Sequence, residues 1–161
     1  MSDTNSDDLV QDYLAECQEH LATIENDLLL IEQAGAEIDE QLVNRVFRAA
    51  HSIKGGAGFF DLSKIRALAH QTESVLDLVR SRQMIPTPEV VSILLMAFDK
   101  LREMIAHYRE SNASDIAEFV EALQMLTADN LPDDRKQSVT ERVAVGASAT
   151  SAGIQMSWMR S

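Results

Sequence analysis

Between Asp7 and Gln33 the apolar residues Val10, Tyr13, Leu14, Cys17, Leu21, Ile24, Leu28 and Ile31 recur mostly in steps of three or four. That spacing lays one stripe along an α-helix and predicts a single long amphipathic helix. Asp7 and Asp8 suit its positive N-terminal end, and Gly35 is placed to stop it. A second helix is expected from about Asp39, a good capping residue, with Leu42, Val46, Ala49, Ala50 and Ile53 turned inward. A third should run from Asp61 or Ser63 to Arg80 on Ile65, Leu68, Thr72, Val75, Leu76 and Val79. Thr87, Pro88 and Glu89 supply a cap, a residue suited to the first helical position and a charge that complements the helix dipole. The fourth helix therefore starts there and continues to about Glu110. A shorter fifth, from Ser114 or Asp115 to about Thr127, uses Ile116, Phe119, Val120, Leu123 and Leu126.

Connections this short make successive helices antiparallel neighbours, so the predicted fold is all-α: an up-and-down four-helix bundle with a fifth packed C-terminal helix. Residues 1–6 are polar and acidic and read as a disordered N-terminus. Residues 7–128 form one domain. From Pro132 onward the periodicity stops, and residues 129–161 read as a flexible linker or tail.

Composition then narrows the function. A formal net charge of -12 opposes binding to nucleic acid, where affinity comes largely from Lys and Arg displacing counterions. No apolar run approaches the roughly 20 residues a membrane span needs. The acidic start lacks the basic and then apolar pattern of a secretory signal, and one cysteine, Cys17, cannot form an internal disulfide. These features point to a cytoplasmic protein with protein partners.

The chemistry concentrates in His51-Ser52-Ile53-Lys54-Gly55-Gly56-Ala57-Gly58. At about 100° per residue, Leu42, Val46 and Ile53 lie opposite His51, so the imidazole is expected to face solvent. Asn44, Gly55 and Gly58 share its arc, and Lys54 sits about one turn on, to one side. Three glycines here each cost a helix about 0.5–1 kcal/mol relative to Ala. A bare backbone at Gly55, Gly56 and Gly58 would let a second macromolecule bring its own active site onto the ring. The alternative is that the glycines end the helix and His51 is an ordinary surface residue. On the third helix His70, Arg66, Glu73 and Asp77 form a polar strip opposite Leu68, Thr72 and Val79. Packed antiparallel to the second helix, that strip would put Glu73 or His70 within reach of His51. A carboxylate accepting a hydrogen bond from the N–H of one ring nitrogen fixes the tautomer and raises the basicity of the other.

This octapeptide, followed by a helix bearing His70-Gln71-Thr72-Glu73, resembles the phosphotransfer domain of CheA-type chemotaxis histidine kinases and, through His-x-x-Lys-Gly, the wider histidine phosphotransfer family. The resemblance covers about Asp7 to Leu126. It implies that His51 is the phospho-acceptor, that Lys54 assists at the phosphoryl group and that Gly55 clears the approach. It also implies that Glu73 and His70 share a hydrogen-bond network with the imidazole. The implied partners are a CheA-type kinase catalytic domain, in the same chain or another, and the receiver domains of response regulators, with the isolated domain a monomer. The sequence has no Gly-x-x-x-x-Gly-Lys-Ser/Thr loop, so ATP and Mg are expected to belong to the kinase partner and this chain to bind no cofactor. Within the same class, a free-standing phosphorelay protein serving a hybrid kinase is the other reading. From other classes, a non-catalytic interaction module fits the helices, whereas a di-metal carboxylate bundle lacks its Glu-x-x-His signature.

Overall fold

A computed structural model describes the backbone of residues 2–128 and the side chains of residues 7–128. Six α-helices follow in order: α1 Ser2–Leu21, α2 Ile24–Ala34, α3 Glu40–Phe59, α4 Ser63–Arg80, α5 Pro88–Ala106 and α6 Ala117–Ala128, with a 3₁₀ helix at Tyr108–Ala113 before the last. The expected bundle is present, with α6 packed on α4 and α5. Residues 129–161, where the linker or tail is expected, lie outside the described residues. At the other end, helical backbone continues back to Ser2, with Asp7 and Asp8 in its first turns.

The predicted first helix is two helices. The chain breaks at Ala22 and Thr23, where the Ala22 N–H reaches only to the Glu19 carbonyl. The Thr23 hydroxyl donates to Asp27 at 3.3 Å, and Arg102 of α5 donates to the Leu21 carbonyl at 2.8 Å, satisfying a group that the break frees. The break leaves Leu21, Ile24 and Leu28 all buried, so one apolar stripe still faces the core across both helices. Gly35 closes α2 in the left-handed region, with its N–H on the carbonyls of Ile31 and Glu32.

Other boundaries follow their capping chemistry. Asp39 accepts from the N–H groups of Gln41 and Leu42 at the start of α3, and Thr87 accepts from Val90 ahead of Pro88 at the start of α5. The α-helix predicted to reach Glu110 stops at Ala106 and tightens into the 3₁₀ turn. There Asn112 donates to the Asp61 carbonyl and accepts from the Ser63 hydroxyl, tying this segment to the α3–α4 turn.

The α3–α4 packing positions the site. Ala49, Ala50, Ile53 and Ala57 on α3 meet a buried face of α4 that includes Ile65, Leu68, Ala69, Thr72 and Leu76. Small residues in this seam let the axes approach closely, and the distance between packed helices follows side-chain size. A glutamate on one helix can therefore reach the outer edge of the other. Among the described residues no helix is long and apolar enough to cross a membrane.

Candidate phosphotransfer site

His51 lies on α3 with its side chain 62% exposed, and its Nδ1 is 2.5 Å from Oε2 of Glu73 on α4. The other Glu73 oxygen accepts from Lys54 Nζ at 2.6 Å. Glu73 is thus clamped from both sides with its side chain only 12% exposed, while Lys54 is 22% exposed. Burial opposes ionisation of the Glu73 carboxyl, but the hydrogen bonds and charges of Lys54 and His51 outweigh it and hold the carboxyl below its usual value. An ionised Glu73 only accepts, so the shared proton belongs on Nδ1 and the ring lone pair falls on Nε2. Among the described residues no group hydrogen-bonds Nε2.

Of the residues expected here, His51, Lys54 and Glu73 come together. His70 lies one turn before Glu73, exposed, and among the described residues no hydrogen bond or ion pair joins its side chain to the other three. Lys54 and Glu73 hold their positions because Ile53, Ala57, Thr72 and Val75 beside them are buried.

The glycines divide. Helix α3 runs through all of them to Phe59, so they do not end it. A Cβ on Gly55 would meet nothing within 4 Å, which fits an open approach to His51. One on Gly58 would touch only the flexible Arg66 side chain, at 3.3 Å. Gly56 corrects the expectation of access: a Cβ there would lie 2.1 Å from the Tyr13 ring of α1. Tyr13 is buried and donates its hydroxyl to the Ile53 carbonyl at 2.6 Å. Gly56 is therefore bare because α1 packs onto it.

Two neighbours of the site were not singled out by sequence. The Phe47 ring lies nearly parallel to the imidazole, 6.1 Å between centroids and 12° between planes. The Arg80 guanidinium covers Phe47 at 3.8 Å and pairs with Asp77. Phe47 stands four residues before His51, so helical spacing alone could have flagged it. Arg80 could not be found that way, because it reaches the site only across the α3–α4 seam.

Comparison with known proteins gives the same assignment independently. The family model described as "Hpt domain" matches residues 8–140. The chemotaxis protein CheA of Rhizobium meliloti is 34% identical over 137 residues, covering 83% of this chain and 18% of that protein. The sensor histidine kinase CheAY of Helicobacter pylori is 30% identical over 141 residues, covering 83% and 17%. The chain thus spans about a fifth of the length of these curated relatives. Its fold is similar to the crystal structure of the phosphorylated P1 domain of CheA3 in complex with CheY6 from R. sphaeroides, with a TM-score of 0.62, 28% identity, and coverage of 77% of this chain and 96% of that one. With a solvent-facing histidine seated on a glutamate across a helical bundle, and a family match over most of its length, the chain belongs to the Hpt domain family.

Proposed function

We propose that His51 accepts a phosphoryl group from the ATP bound to a CheA-type kinase domain and passes it to an aspartate of a response-regulator receiver domain. The observation that carries this reading is the exposed imidazole with Nδ1 held by the Glu73 carboxylate. Nε2 attacks the γ-phosphorus, the bond to the bridging oxygen breaks and ADP leaves. The Nδ1 proton stays on its hydrogen bond to Glu73, which offsets the positive charge that the ring gains. Lys54, already at the Glu73 carboxylate, supplies positive charge near the new phosphoryl group. In the second step the receiver's aspartate attacks phosphorus, the N–P bond breaks and its electron pair returns to Nε2.

An exposed site suits this two-step role, because donor and acceptor must each reach the same atom. ATP and Mg act in the partner's active site, and this chain binds neither. A relative's P1 domain is seen in complex with CheY6, which supports a receiver as the acceptor here. The CheA relatives support chemotaxis signalling as the setting; we place it in the cytoplasm, with the kinase domain in the same polypeptide or another and this domain acting as a monomer.

The test is to incubate the chain with a CheA-type kinase core and labelled ATP. Wild type should acquire acid-labile, base-stable label that a receiver removes. His51→Gln should remain folded and unlabelled, while His20→Gln and His107→Gln label normally. Label persisting in His51→Gln would overturn the assignment.

A further inference from the structure

Glu73 holds one corner of the His51 ring and leaves its tilt loosely defined. The bond at Nδ1 settles which nitrogen carries the proton, but an N–H donor weakens only gradually as its angle to the acceptor opens. The torsion that turns an imidazole about its Cβ–Cγ bond has a broad preference, and the side chain is 62% exposed. The Nε2 lone pair lies in the ring plane. The tilt of that plane therefore sets the line along which phosphorus must approach.

A second contact bears on the tilt. Phe47 precedes His51 by four residues, one turn along α3 and about 40° round the axis. Its ring is 12° from parallel to the imidazole with the centroids 6.1 Å apart, inside the range of roughly 4.5–7 Å over which paired rings interact. A plane laid beside the ring restrains its tilt without obstructing attack in the plane, and among the described residues no group hydrogen-bonds Nε2.

Phe47 is in turn held in place. It is half-buried against the core, and the Arg80 guanidinium lies 3.8 Å from its ring centroid. Asp77 accepts from Arg80 at 2.7 Å and steers that guanidinium. Glu73 and Arg80 are seven residues apart on α4, two turns along and about 20° round, so they share one edge of the helix. Helix α4 thus reaches the imidazole twice, directly through Glu73 and through Arg80 on Phe47. Asp77 offsets the charge of Arg80, so the stack acts mainly on orientation.

We propose that Phe47, clamped by Arg80, is a positioning residue for phosphoryl transfer, holding the imidazole plane so that the Nε2 lone pair points along the line of transfer. The inference rests on the phosphotransfer reading of His51 and deepens it. Alignment affects the chemical step and leaves the encounter between the two proteins alone. A misplacement of about 1 Å at a reacting centre can cost about a hundredfold in rate. Freeing the tilt of a ring that Glu73 still holds should cost part of that, roughly tenfold.

The experiment combines kinetics and NMR on the full chain. Labelling is followed with a kinase core at saturating ATP while the concentration of the chain is varied. Ring motion is read from carbon-13 relaxation at Cε1 of His51 in the unphosphorylated chain at about pH 8.5, above the ordinary imidazole range. Phe47→Leu keeps apolar bulk but loses the plane; kcat should fall roughly tenfold with KM within about twofold, and the ring order parameter should drop. Phe47→Tyr restores a ring and should rescue both. Arg80→Met, at a partly exposed site, should lower kcat roughly threefold, and adding it to Phe47→Leu should cost nothing more, because Arg80 acts through Phe47. Wild-type kcat and ring order in Phe47→Leu and Arg80→Met would overturn the proposal, and if Phe47→Leu does not fold, Arg80→Met decides alone. A raised KM at unchanged kcat would make Phe47 a partner contact and overturn it, as would losses that add in the double variant. A wild type that takes no label refutes the phosphotransfer reading, and this role with it, even where ring order follows Phe47.

Discussion

Gly56→Ala sets helix propensity directly against packing. In an open helical position the change would favour folding by about 0.8–1 kcal/mol. Here the new methyl would sit 2.1 Å from one Tyr13 ring carbon and 2.3 Å from the next, far inside van der Waals contact. Either α1 retreats from α3 or the Tyr13 ring turns away, and both strain the hydroxyl bond to the Ile53 carbonyl. Overpacking of a well-filled core costs about 1–3 kcal/mol, and loss of a buried hydrogen bond adds about 0.5–1.5 kcal/mol. With the propensity gain subtracted, Gly56→Ala should destabilise the domain by about 1–3 kcal/mol. Gly55→Ala, which meets nothing, should stabilise it by about 0.5–1 kcal/mol. Urea unfolding followed by circular dichroism measures both. A double-mutant cycle isolates the cause: in a Tyr13→Ala background the methyl has room, and Gly56→Ala should turn neutral or stabilising. The reasoning fails if Gly56→Ala is as stable as Gly55→Ala, or if its cost persists without Tyr13.

Gly55→Gln should fold like wild type yet slow both labelling of His51 and transfer from it, as measured with kinase and receiver, because the added atoms occupy the approach beside the imidazole. Glu73→Ala should slow labelling without abolishing it, since it removes the group that fixes the tautomer but leaves the nucleophile. Because the Glu73 carboxyl is held below its ordinary value, its contribution to stability is present above the unfolded value near 4.5 and is lost as pH falls through the lower folded value. The stability difference between wild type and Glu73→Gln in urea titrations should therefore hold at neutral pH and shrink under acid. Arg102→Met should cost about 1 kcal/mol by leaving the Leu21 carbonyl at the α1–α2 break without its donor, read by the same unfolding assay. Burial pushes the Cys17 thiol up to about 11, so a thiol reagent at pH 8 should label it only at the rate of opening or unfolding.

Much of this protein was fixed by local pattern. The apolar steps in α3, α4 and α5, the Asp39 and Thr87 caps and the exposed arc around His51 depend on residues within a turn or two of one another, where helical geometry applies before anything packs. Once the two helices were taken as antiparallel neighbours, the polar strip narrowed the partner of His51 to Glu73 or His70, and the fold brought Glu73 to it. What sequence could not supply were contacts between residues far apart along the chain. Tyr13 and Gly56 meet only when α1 lies on α3, so Gly56 looked like Gly55 until the fold gave them different neighbours. The break at Ala22–Thr23 interrupts no apolar spacing and becomes intelligible only when Arg102 arrives from α5. The stack of Arg80 on Phe47 likewise exists only across the α3–α4 seam. Periodicity records which face a residue presents, and only packing determines what that face meets.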